Sequence, residues 1–269
     1  MIQLLRIEWL KIRSYKTFWI LLGAFVLLFP VTYYFSASKY METINTRTQE
    51  STMINSILGA PFVFPKVWHS AAWFGGLFFL LLGMLFILLI TNEVQYRTHR
   101  QNIIDGWSRT DFILAKSSVM VCFILISTLL VFLSGLIVGL VFTPSSSSAS
   151  LFEGIKYVWY FALMATEYLV LAFLVAILIK RTGLAIIIYF TTVCIIDNLL
   201  WILLTLKDSQ LGYFVLLEPT DSLVPNPFKP SMLERRKASD TSLLLTALAY
   251  IGAFGYIILS SFRRSDLKT

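Results

Sequence analysis

Two carboxylates, Glu167 and Asp197, stand inside long apolar runs of this 269-residue chain. If those runs cross a bilayer, each lies thirteen residues from the same side (180 − 167 and 197 − 184), a shared depth of about 20 Å at the helical rise. Ionisable groups that deep cost several kcal/mol and face protein or water rather than lipid. Glu167 and Asp197 could share a proton, hydrogen-bond Thr166, Asn198, Tyr168 or Trp201, or line a substrate pathway together with Asn198; a purely structural polar contact serves equally well at this stage. Hydrolytic and metal chemistry has no such foothold. His69 and His99 are thirty residues apart with no metal-ligand spacing beside them. Neither HExxH nor GxSxG occurs, and no GxxxxGK[ST] loop is present to cradle ATP phosphates. No catalytic residue, metal site or cofactor of this chain's own is therefore assigned.

The elements that position these carboxylates follow from composition. Hydrophobic residues make up 57% and charged residues 14%, and the mean hydropathy of +0.76 lies far from that of a soluble domain. A hydrocarbon core of about 30 Å needs roughly 20 apolar residues per helix. Six stretches meet that length: 18–35, 71–91, 117–142, 157–179, 184–206 and 243–262. The expectation is a single all-α polytopic membrane domain. Cys122 and Cys194 fall within these spans and read as small apolar groups, not as a disulfide.

Orientation follows the basic residues near span ends. With both termini in the cytoplasm, thirteen of the 22 Lys and Arg lie on inner segments, and five of the other nine crowd one outer loop, 207–240. The net charge of +7 fits anchoring to anionic inner-leaflet lipid, and no nucleic-acid partner is expected. In residues 1–16, Ile2, Leu5, Trp9 and Ile12 recur at helical spacing between basic residues, which predicts an interfacial helix ahead of the first span, retained rather than cleaved.

Two outer segments exceed plain connectors. LGAPFVFPKVW (58–68) brings aromatic rings that suit the headgroup level. Segment 207–240 holds a short apolar run and then Pro219, Pro225, Pro227 and Pro230. A run that enters the membrane without crossing must be shielded by protein, so a re-entrant hairpin or short outer helices capping the bundle are expected.

The densest polar segment is NEVQYRTHRQNIIDGWSRTDF (92–112), between the second and third spans. Glu93 precedes Arg97 by four, the favourable order for a helical ion pair. Asp105-Gly106 ends that helix, and Ser108 with Asp111 resembles a capping box for the next. Ile103, Ile104 and Trp107 are left near the tip with Arg100 and Arg109 at its flanks, the makings of a contact surface for a cytoplasmic protein.

This segment resembles the inner coupling loop of type-2 ATP-binding-cassette permeases, in which an acidic residue closes the second span and a turn, a hydrophobic pair, a Ser-Arg and a Lys follow. Glu93, Thr98, Ile103, Ile104, Ser108, Arg109 and Lys116 match in order, whereas His99 departs from the usual Gly-Thr turn. The resemblance implies an exporter subunit in the inner membrane. Its partners would be a separate cytoplasmic ATPase that binds the ATP and Mg, and a second copy or a similar permease. The substrate pathway would run along the permease seam. A proton-coupled secondary transporter and a non-transporting membrane anchor are the alternatives, and neither an internal repeat nor mid-span Gly/Pro breaks speak for the former.

Overall fold

The structure, a computed structural model, describes residues 2–46, 48–49, 53, 58–95, 109–144, 150–206, 210–229 and 238–264. Helix α1 (Ile2–Arg13) is followed by α2 (Lys16–Asn45), α3 (Val67–Gln95), α4 (Arg109–Phe142) and α5 (Lys156–Leu178). Then α6 (Thr182–Thr191) passes through a π-helical turn (Thr192–Ile196) into α7 (Asp197–Thr205). A 3-10 turn (Gln210–Phe214), the short helix α8 (Glu218–Leu223) and α9 (Asp240–Arg264) complete the order, and no strand occurs among the described residues. Among the described residues six helical stretches are long and apolar enough to cross a membrane: α2, α3, α4, α5, α6 with α7, and α9. The protein is an all-α polytopic membrane protein.

Helices outrun the apolar stretches that announce them. α2 continues ten residues past position 35, to Asn45, because backbone hydrogen bonds need no apolar neighbours once the helix is nucleated. At 1.5 Å per residue its 30 residues reach roughly 45 Å, beyond the hydrocarbon core. α1 is a separate helix, broken from α2 at Ser14-Tyr15. It buries Glu8 and Ile12 and leaves Trp9 exposed, packing against α4. The protein-facing side is thus the Glu8/Ile12 stripe rather than one that includes Trp9.

α5 lies at the centre, with α3, α4, α6, α8 and α9 packed around it. Small residues allow the approach. A Cβ on Gly83 would land on the Tyr189 hydroxyl, and one on Gly75 would collide with Val131 and meet Phe161. Around the start of α3, Tyr33 donates to the Val67 carbonyl at 3.0 Å, Trp68 donates its Nε1–H to Leu151 at 2.8 Å, and His69 stacks on Tyr157 at 4.3 Å between centroids.

In the aromatic segment at 58–68 the two Phe rings face protein. Phe62 and Phe64 are buried; Phe62 packs against Tyr33, Tyr40, Phe74 and Phe228, and Phe64 against Trp68. Protein neighbours on every side supply more dispersion contact than a headgroup layer does. These rings are core, not belt.

Candidate functional site

Two places concentrate polar side chains. The first is the root of segment 92–112. Lys116, seven residues on from Arg109 at the start of α4, is 1% exposed, and its ammonium lies 2.5 Å from Glu8 Oε2 and 2.7 Å from Glu93 Oε1. Lys11 adds contacts of 3.3 Å to Glu8 and to Glu93. Two cations and two anions therefore join α1, the C-terminal end of α3 and the first turns of α4. Asn92 donates to the Tyr15 hydroxyl at 2.8 Å and Thr182 to Gln95 at 3.2 Å, which ties the same root to the α1–α2 junction and to the start of α6.

Residues 96–108 lie outside the described residues, and with them Arg97, Arg100, Ile103, Ile104, Trp107 and Ser108. The backbone of Arg109 opens α4, while its side chain is outside the description. Of the docking residues expected from sequence, Glu93 alone has described side-chain contacts. Its described partners, Lys11 and Lys116, came from other parts of the chain, 82 and 23 residues away.

The second place is buried among α5, α7 and α8. Glu167, on α5, is fully buried, and its Oε2 lies 2.7 Å from Thr220 Oγ1. Asp197 accepts the Leu217 backbone N–H at 3.0 Å. It thereby satisfies a donor at the start of α8 that a six-residue helix leaves open. Tyr168 donates to Asp221 at 2.8 Å. Glu167 and Asp197 do meet a common partner, α8 and its first turn, and are not hydrogen-bonded to each other.

The π turn explains how Asp197 gets there. Ala185 and Tyr189 form the buried line of α6, and regular winding would continue it at 196. One residue of π insertion moves the line on by one. Asp197 is buried while Ile195, Ile196 and Leu199 are exposed.

The other expected partners are placed elsewhere. Asn198 is exposed and points back to Val193 and Cys194 of its own helix at 3.4 and 3.3 Å. Thr166 donates to Ala162, and Trp201 Nε1–H finds no partner among the described residues. Sequence reasoning passed over Glu8, Glu218, Thr220 and Asp221. A lone acid at i−3 from Lys11 and i−4 from Ile12 was a usable signal for Glu8; the pair of acids in LEPTD was one for the outer helix.

Burial pushes the Glu218 carboxyl up to about 7, against the hydrogen bond from Ser222 and with Asp197 adding to the rise. Burial also pushes Asp221 well above the usual carboxylate range, helped by Glu218 and Asp197. Among the described residues no group of His, Cys, Asp and Glu is arranged to hold a metal ion.

A family model described as ABC-2 family transporter protein matches residues 4–197. The chain belongs to the ABC-2 transporter family. The match runs from α1 to the first residue of α7, so the ion cluster at the root lies wholly within the ABC-2 region, whereas α8 and its acids lie beyond it. No curated protein matches the chain. As an ABC-2 protein it is a multi-pass transport component of the kind that associates with an ATP-binding-cassette ATPase.

Proposed function

We propose that this chain is the permease of an exporter whose ATP is bound and hydrolysed, with Mg, by a separate cytoplasmic ATPase gripping segment 92–112. The observation that carries the reading is the buried Glu8–Lys116–Glu93 junction at the root of that segment. A push on the loop reaches α3 and α4 directly and α1 through these charges. Separating a buried ammonium from its carboxylates costs about 3–5 kcal/mol, so the three helices move together.

The termini and the loop lie in the cytoplasm, with the protein in the inner membrane. A second copy, or a similar permease, covers the face that carries Asn198, since an amide exposed in mid-span is better served by protein than by lipid. The pathway runs along that seam and suits an amphipathic or apolar molecule.

The test is purification of the full chain from its own membranes, compared with Trp107→Ala and Ile104→Asp. Co-purification of a subunit bearing a phosphate-binding loop with wild type, and its loss in the variants at unchanged insertion, is the expected result. Proton-driven uptake into vesicles that hold no ATPase, abolished by Glu167→Gln, would support the secondary-transporter reading instead.

A further inference from the structure

We propose that Glu167 is a proton-binding site and that its proton seats the outer helix α8 on the central span α5. The inference is independent of how the loop at 92–112 is used. Glu167 is 0% exposed, and its Oε1 has no hydrogen-bond partner among the described residues. An ionised carboxylate would leave half a charge on that oxygen with nothing to stabilise it, while a neutral acid leaves only a carbonyl, a far smaller penalty.

The hydroxyl of Thr220 points the same way. It lies 2.7 Å from Glu167 Oε2 and 3.0 Å from the Leu217 carbonyl, and it has one hydrogen for two acceptors. With a proton on Glu167 both contacts become hydrogen bonds: the carboxylic O–H donates to Thr220 Oγ1, and Thr220 donates to Leu217. Leu217 in turn donates its backbone N–H to Asp197. The proton therefore completes a chain from α5 through α8 to α7.

Among the described residues the surroundings supply no substitute cation. The charged groups that act on Glu167 are Asp221 on α8 and Asp197 on α7, both acidic. Glu218 stands on α8 as well, Tyr168 follows on α5 itself, and α6 contributes Tyr189, which lies within electrostatic reach of Asp221. The described charged groups of the other packed helices sit near helix ends: His69 and Glu93 on α3, Asp111 and Lys116 on α4, Asp240 on α9; the remaining titratable side chains there, Cys122 on α4 and Tyr250 and Tyr256 on α9, bring no cation. Lys229 lies beside Glu218, not Glu167. In a fully buried site the proton is the cation that needs no room.

The seated state holds one proton that the unseated state releases, so raising the pH draws α8 off α5. Infrared spectroscopy of the full chain in lipid vesicles near neutral pH reads the proton directly. In the difference between the wild-type and Glu167→Gln spectra a carboxylic C=O band is expected, apart from the bands of Glu218 and Asp221 that both proteins share; in Thr220→Val that band moves to higher frequency, because its hydrogen-bond acceptor is gone. Hydrogen exchange over 217–224, corrected for intrinsic rate, reads the seating. Wild type should open about tenfold more per pH unit than Glu167→Gln, whose amide donates to Thr220 at every pH. No carboxylic band in that difference spectrum, or equal pH slopes in the two proteins, would overturn the proposal. If Glu167→Gln does not insert, the Thr220→Val spectrum decides: an unmoved band overturns it and a moved band supports it.

Discussion

At Lys116 one buried ammonium serves two carboxylates from different helices, and only Glu8 of those two is as deeply buried. Removing a single partner leaves an uncompensated charge. Lys116→Met should therefore cost about 3–5 kcal/mol of stability, read as a lowered midpoint in thermal unfolding of the solubilised chain, and Glu8→Gln should cost a similar amount. The exchanged pair Glu8→Lys with Lys116→Glu should recover part of the loss. Midpoints equal to wild type in both single variants would mean that the charges are solvated. Glu218 gives a pH-dependent counterpart. Its carboxyl is raised from 4.5 to about 7 in the folded chain, so its stabilisation is fully present below pH 4.5 and is lost as the pH rises through about 7. Unfolding midpoints of Glu218→Gln should fall less steeply over that window than those of wild type.

Among the elements, α3 bears the closest packing. Gly83 faces the Tyr189 ring of α6 with no space for a methyl group, and both sides are buried. Gly83→Ala should destabilise the fold by about 1–3 kcal/mol, again visible in thermal unfolding; an unchanged midpoint would place Tyr189 elsewhere. The six spans and the separate N-terminal helix were legible in the sequence, because length and hydropathy report what a bilayer demands of each helix by itself. The π turn at Thr192–Ile196 was not. It carries neither Gly nor Pro, and its only trace is the burial of Asp197, which depends on α8. The burial of Phe62 and Phe64 was hidden for a similar reason: an aromatic ring reads the same in the sequence whether lipid or Phe228 lies beside it. Pairings such as Glu8 with Lys116, 108 residues apart, belong to the packing of helices, about which local pattern is silent.

For the whole molecule, the arrangement separates one end, where charges lock three helices at the root of the loop, from a second region in which a short acidic helix is seated among the spans. The central helix α5 contacts α3, which carries part of the lock, and α8, which carries the acids. Uncoupling should therefore be possible without loss of partner binding: Glu8→Gln, in protein that remains folded, should lower ATP hydrolysis stimulated by the permease while the ATPase still co-purifies. Full stimulation in that variant would remove α1 from the path of the motion.

The most direct test of an externally driven permease is the affinity between the purified chain and its ATPase, measured for wild type and for Ile104→Asp. A central apolar anchor is worth at least about 2 kcal/mol, so affinity should fall about 30-fold or more while the variant still inserts and folds. Equal affinities in the two proteins would contradict the account.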